Sequence, residues 1–285
     1  MNGLQALLDG IMLGGIYGVI ATGLSLVFGV LGVVNFAQAE FLMLGMYIAW
    51  FLWAWLGIDP LLAAVPTALI VFGVGFVIQR TLIERVLAAP PAAQIFLTVG
   101  LMMVLENGAL LAFGSSFRSV NVPYQSEGFQ LGSIFVGAPY LYAFLAAVLV
   151  SAALWLTLSK SWLGRAIRAT AQDGMAAILM GVNIKQIYGL AFGLGVGLTA
   201  LGGAVILPYI TVSPTAGGQF VVLMFTVVVL GGLGNVAGAL LGGLVVGVVQ
   251  SLSAMVFPVQ LQNLVLFLIF IAVLAFRPQG LLRES

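Results

Sequence analysis

The chain has 285 residues, 62% hydrophobic and 6% charged, with a net charge of +1 and a mean hydropathy of +1.23. A soluble domain carries about 25% charged residues, so this chain has too little polar surface for a globule in water, and its solvent must be lipid. Cysteine and histidine are absent, which excludes disulfides, thiolate nucleophiles, the usual zinc sites and any Ser-His or Cys-His pair; the near-neutral charge offers nothing to nucleic acid.

A bilayer crossing takes about 20 apolar residues, so the length allows roughly eight to ten crossings. Continuous runs such as LLAAVPTALIVFGVGFVI call for helices, not the alternating strands of a membrane barrel. The expected fold is an all-α integral membrane protein, a polytopic helical bundle forming a single transmembrane domain over 1–285. No polar interruption exceeds the loop near 160–186, so no soluble domain is expected.

In chain order, MNGLQALLDG contains Asp9 and no Lys or Arg. It lacks the basic leader of a cleaved signal peptide, so the first apolar segment, 7–31, is expected to stay. Segment 35–57 opens on VVNFAQAEF, which puts Asn35, Gln38 and Glu40 at the entrance to an apolar span. Such groups cost free energy in hydrocarbon unless they pair or face a watery cavity. Two readings stay open: they line or gate a substrate route, or Asn35 satisfies free amides at a helix start. WFLWAW at 50–55, beside Gly57-Ile58-Asp59-Pro60, is an aromatic belt at a membrane edge.

Segment 61–79 holds Pro66, a candidate kink, and ends at the basic residues Arg80 and Arg85. Segment 92–114 carries Glu106 and Asn107 deep within it. Glu106 is expected to face the bundle interior with a partner, as a group on an ion or substrate path or as polar packing. The loop 115–138 sets only Arg118 against Glu127 and is expected outside. Segment 139–159 follows.

Four of the nine Lys and Arg, namely Lys160, Arg165, Arg168 and Lys185, then fall in or beside SWLGRAIRATAQDGMAAILMGVNIK (161–185). Ile167, Ala171, Gly174 and Ile178 recur at helical spacing, while Arg165, Arg168 and Gln172 occupy another face. The pattern predicts one or two short amphipathic helices at the cytoplasmic surface, with Gly181 suited to a turn after the first. The plainer reading is positive charge that fixes topology or meets anionic lipid headgroups.

Segments 187–210, 219–233, 236–257 and 261–276 complete nine. Placing the basic loops and the Arg277 and Arg283 tail in the cytoplasm puts the N-terminus outside; GGLGN at 231–235 could instead break a span within the membrane. Glycine numbers 37. In lipid, helices associate through small residues that allow close backbone approach. Gly234, Gly238 and Gly242 form one such face, and Ala239, Gly243 and Gly247 a neighbouring one.

Several ordered motifs resemble one family. GRAIRATAQDGMAAILMGVN is similar to the cytoplasmic coupling loop of branched-chain amino acid ABC importer permeases (the LivH/LivM type). GLSLVFGVLGVVNFAQAEFLMLGMY (23–47) resembles that family's early Gly-rich span and Asn-Phe-Ala motif, and Glu106-Asn107 its polar position in a middle span. VLGGLGNVAGALLGGLVVG (229–247) resembles its late glycine motif, and RPQGLL (277–282) its tail. Where the family often has His-Gly, this chain has Gln38-Ala39.

The resemblance implies a transport subunit, not an enzyme, of an ATP-driven importer in the bacterial inner membrane. Its expected partners are two ABC ATPase subunits, a second related permease subunit and a periplasmic substrate-binding protein, with lipid around it. It implies no cofactor or metal of its own, ATP being bound by the partner subunits. Arg165, Arg168, Gln172, Asp173, Ala176 and Gly181 are the positions it carries over for ATPase coupling; Asn35, Gln38, Glu40, Glu106 and Asn107 are candidates for the translocation path. The sequence itself lacks the phosphate-cradling GxxxxGK[ST] loop, because Lys160 and Lys185 follow Ser159 and Ile184. A competing reading is an ion-coupled secondary transporter using Glu40 or Glu106. An intramembrane hydrolase fits poorly, since Asp9, Asp59 and Asp173 sit at segment ends or in a loop.

Overall fold

A computed structural model describes residues 3–132, 134–276 and 280; Arg277, Arg283 and the RPQGLL motif apart from Gly280 lie outside the described residues. Helix α1 (Gly3–Leu31) is followed by a non-helical return and α2 (Gln38–Leu56). Gly57, at φ 66°, closes α2 in the left-handed conformation that glycine adopts without penalty. Asp59 starts α3 (Pro60–Ile78), its Oδ1 accepting the Leu61 amide at 2.9 Å. The same helix runs on through a π-helical turn (Gln79–Ile83) into α4 (Glu84–Val86).

After α5 (Pro91–Phe113), a loop leads into an antiparallel hairpin of β1 (Gly128–Leu131) and β2 (Ile134–Gly137), pairing Gly128 with Gly137 and Gln130 with Phe135. Then follow α6 (Ala138–Lys160), α7 (Trp162–Gln172), α8 (Gly174–Leu179), α9 (Ile184–Ile206), α10 (Ala216–Gly231), α11 (Val236–Val256) and α12 (Val259–Phe276). Among the described residues, seven helices are long and apolar enough to cross a bilayer: α1, α2, the continuous Pro60–Val86, α5, α6, α9 and α11. Ala216–Gly231 and Leu264–Phe276 are shorter apolar helices. All nine predicted segments are therefore helical.

One end of the bundle carries the hairpin; the other carries α7 and α8. GGLGN forms a turn at the latter end, with Gly232 and Gly234 at φ 97° and 86° and Gly234 against Gly29 of α1. The two predicted glycine faces of α11 serve two neighbours. Gly238 and Gly242 abut Gly231 and Val227 of α10, while Gly243 and Gly247 abut Gly10, Gly14 and Gly18 of α1. A Cβ at Gly14 would lie 2.6 Å from Leu244 Cα, so backbone meets backbone there.

At the hairpin end, Arg118 ties the long loop to the bundle. It bridges Val212 by paired backbone bonds, donates from its guanidinium to the Phe113 carbonyl at 2.8 Å, and lies 4.5 Å from the Trp50 ring, with Tyr47, Phe51 and Phe113 also around it. Trp50, predicted only as a belt residue, also donates Nε1 to the Ser119 carbonyl at 3.1 Å. In the same loop, the Tyr124 hydroxyl donates to Asp59 at 2.9 Å; burial, then the Asp59 contact, push its pKa up.

Candidate functional site at the basic end and an enclosed polar centre

Three side-chain caps cut 161–185 into pieces. Ser161 Oγ accepts the Gly164 amide at 3.0 Å and starts α7; Asp173 Oδ1 accepts the Ala176 amide at 3.0 Å and starts α8; Asn183 Oδ1 accepts the Gln186 amide at 3.1 Å and starts α9. Each satisfies amides that a helix start leaves free. Gly181, at φ 83°, ends the second short helix, not the first, and the break between the two falls at Asp173. The expected single stripe is therefore interrupted: Ile167 is buried, whereas Ile178 is exposed.

Helix α7 lays Ala166 and Ile167 on Leu26 and Val30 of α1 and on Ile187 and Ala191 of α9. Its two arginines point the other way, yet each also donates to a carbonyl at the end of α6, Arg165 to Lys160 and Arg168 to Leu158. They neutralise the negative pole of that helix while keeping further guanidinium donors for a partner.

Helix α8 has the opposite character. Leu179 and Met180 are 82% and 83% exposed, and Met175 and Ile178 are exposed with them. Beside them lies a cleft of about 410 Å³ lined by Gln172, Asp173, Ala176, Ala177, Met180 and neighbours. The structure thus brings together Gln172, Asp173 and Ala176; Gly181 shapes the following turn, and Arg165 and Arg168 lie on α7. Lys185, in the first turn of α9, pairs with Glu84 at 2.9 Å, and Glu84 reaches Arg80 at 3.8 Å. This link joins the loop's exit to the π-helical turn of α3, and pattern reading missed it.

The second predicted group is not at a span's entrance. Gln38 lies level with Gly23 of α1 and with Gly195 and Thr199 of α9. Gly23 is eight residues before the end of α1, about 12 Å along the axis at 1.5 Å per residue. Segment 32–37 thus folds back into the bundle and α2 begins part-way through it. Non-helical backbone at such depth survives only when protein encloses it. Asn35 is 0% exposed, and Thr98 of α5 donates to the Val34 carbonyl at 3.1 Å.

The cluster is hydrogen-bonded throughout. Asn35 Oδ1 accepts the Ala37 amide at 3.2 Å, and Asn35 Nδ2 donates to Gln38 Oε1 at 2.9 Å. Gln38 Nε2 donates to Thr199 Oγ1 at 2.7 Å and to the Gly195 carbonyl at 3.1 Å. Asn35 therefore does not cap α2, whose N-cap Ala37 carries no side-chain cap bond; it braces the turn that leads into the helix, inside the bundle. Thr199 and Gly195 escaped pattern reading because a small-residue span offers many equivalent positions.

Glu40, one turn on, is 1% exposed, and its Oε2 has no hydrogen-bond partner among the described residues. The carboxyl occupies space left by Gly217 of α10, where a Cβ would lie 2.6 Å from Glu40 Cδ. Below it, Phe36 meets Phe225 of α10 at 5.2 Å. Glu106 is half-buried on α5, not enclosed in the interior; Asn107 is exposed, its amide turned back to the Met103 carbonyl at 2.8 Å. The reason is that α5 lies on the outside of this single chain, burying only Thr98, Leu101 and Ala109.

A lipid-soluble bundle with a capped, partly apolar helix pair at one end and an enclosed polar centre defines a multi-pass membrane protein of the permease class. The chain belongs to the family described as branched-chain amino acid transport system permease components, whose model matches residues 6–274. It is 32% identical to the high-affinity branched-chain amino acid transport system permease protein BraD of Pseudomonas aeruginosa, covering 98% of this chain and 95% of that one. It is also 32% identical to LivH of Escherichia coli K12, a permease protein of the same description, with the same coverage. A more distant likeness is the fructose import permease protein FrcC of Rhizobium meliloti, 30% identical over 60% of this chain and 49% of that one. No solved structure matches the chain.

Proposed function

We propose that this chain is a membrane-spanning permease subunit of a bacterial ABC importer, carrying branched-chain or related amino acids inward across the inner membrane. ATP hydrolysis on two separate ATPase subunits drives it, a second related permease completes the pathway, and a periplasmic binding protein delivers substrate at the hairpin end. The observation that carries this reading is α8: large apolar side chains stand almost fully exposed on a capped helix outside the apolar bundle. Apolar anchors of that kind beside a cleft form the centre of a protein interface, and the family supplies the partner, an ATPase.

Movement imposed on α8 passes by two routes. One is the α7 contact with α1 and α9; the other is the Lys185–Glu84 pair onto α4, which continues α3. The first reaches α9 and α1, which hold the Gln38 cluster between them, and the second reaches α3, which packs along α9. The proposed path runs beside α2, past Glu40, Glu106 and Asn107. Asn107 supports a second permease chain or water over α5, because an exposed amide is costly against lipid tails.

The test is co-purification with the ATPase subunits and amino acid uptake in proteoliposomes of the full complex. Leu179→Glu with Met180→Glu should abolish both and leave the unfolding temperature of the isolated chain unchanged. Retained ATPase binding would sink the reading. The unpartnered carboxyl of Glu40 favours one second reading, ion-coupled transport. Collapse of uptake with a protonophore at constant ATP would select it, and vanadate inhibition would reject it.

A further inference from the structure

We propose that the cleft between α1, α6 and α11 at the hairpin end is a binding site for an organic primary ammonium group. The cleft holds about 350 Å³ and is lined by Asp9, Leu13, Phe135, Tyr140, Gln250 and Ser251. That volume and a mostly apolar wall with a few converging polar groups are the usual form of a small-ligand site.

Asp9 supplies the charge. Among the described residues the ion pairs are Arg80–Glu84 and Lys185–Glu84, so no Lys or Arg side chain neutralises it. It is nonetheless held rigidly. Gln5 Nε2 lies 3.0 and 3.1 Å from the two Asp9 oxygens and donates to the Phe135 carbonyl at 2.6 Å, while Gln5 Oε1 accepts the Phe135 amide at 2.9 Å. A neutral amide orients the carboxylate without cancelling its charge. A pre-ordered anion in a largely apolar cleft recruits a cation.

Tyr140 supplies a ring face, fixed by its contact with Tyr209 at 4.6 Å. A cation between a carboxylate and an aromatic face gains from both. The Ser251 hydroxyl, which also lines the cleft, offers a further acceptor. A primary ammonium has three N–H donors for these acceptors; a quaternary one has none, which decides the class. Asp9 lies two turns inside a helix of 29 residues, about 42 Å long against a hydrocarbon core of about 30 Å. It therefore stands near headgroup depth. The same chemistry is offered by an ethanolamine phospholipid headgroup and by a free small amine. The inference does not depend on the importer reading.

The full chain is reconstituted in nanodiscs of phosphatidylethanolamine with phosphatidylglycerol, or phosphatidylcholine with phosphatidylglycerol, and retained lipid is counted by native mass spectrometry. Wild type should retain phosphatidylethanolamine over phosphatidylcholine by about tenfold, the scale of one charge-assisted contact. Asp9→Asn should erase that preference and Tyr140→Leu should weaken it. In phosphatidylcholine discs, ethanolamine alone is the second probe. If it raises the unfolding temperature of wild type but not of Asp9→Asn, while no lipid preference is seen, the site takes a free amine. Should Asp9→Asn not fold, Tyr140→Leu decides. Lipid and amine responses both unaffected by the substitutions would overturn the proposal.

Discussion

Gln38 of α2 and Thr199 of α9 meet at 2.7 Å, amide nitrogen to hydroxyl, deep inside the bundle. Gln38→Leu removes the donor to the Thr199 hydroxyl and strands the Asn35 amide that Gln38 Oε1 accepts, while the Gly195 carbonyl keeps its bond from Thr199. The expected loss is about 1–3 kcal/mol, the usual cost of a stranded buried polar group, read as a lower unfolding temperature in detergent. Gln38→Leu with Thr199→Val should cost less than the sum of the two single changes, because the pair is then replaced as a unit.

Glu40 and Gly217 predict opposite outcomes on the two sides of one contact. Glu40→Gln removes an unpartnered acid at nearly unchanged volume and should leave the unfolding temperature unchanged or higher. Gly217→Ala places a methyl group against the Glu40 carboxyl and should destabilise by about 1–3 kcal/mol, as overpacking does. It should also reduce uptake by the reconstituted complex. Equal behaviour of the two variants would contradict the described contact.

The α1–α11 seam makes a contrast between glycines testable. Gly14→Ala drives a methyl group into the Leu244 backbone and is expected to cost about 1–3 kcal/mol. Gly73→Ala, on a face of α3 with nothing within 4 Å, should be neutral or slightly stabilising, because alanine is the better helix former. Thermal unfolding of both variants in one detergent is the measurement.

Arg118→Met removes a guanidinium stacked on Trp50 and bonded to Phe113. The loss is expected at about 0.5–2 kcal/mol, the range of a cation–π contact, concentrated in the loop after α5. Limited proteolysis should cut that loop faster in the variant while the spans stay protected. Unchanged cleavage would mean that the backbone bridge to Val212 suffices.

Much of the architecture was legible because hydrocarbon is an undemanding solvent to read. Long apolar runs bounded by Gly57 and Pro60, or by Lys160 and Ser161, leave helix as the only backbone state that satisfies its own hydrogen bonds. The two glycine faces of α11 followed from spacing alone, although not which helix each would meet. The amphipathic loop was legible too, but its division at Asp173 was not. A capping aspartate and a mid-helix aspartate look alike until the chain's path shows which amides are free.

Composition and periodicity by themselves determined a lipid-embedded helical bundle with a basic, partly amphipathic loop at one end. Tertiary packing alone decided that the chain turns back at 32–37, so that Asn35, Gln38 and Glu40 lie deep within the bundle and not at its rim, and that Glu106 sits on an outer helix. The physical reason is that hydropathy measures whether a residue tolerates lipid, not how deep it sits or what faces it. Depth and partners arise only when glycines at 23, 195 and 217 let neighbouring helices approach closely enough for distant polar groups to meet.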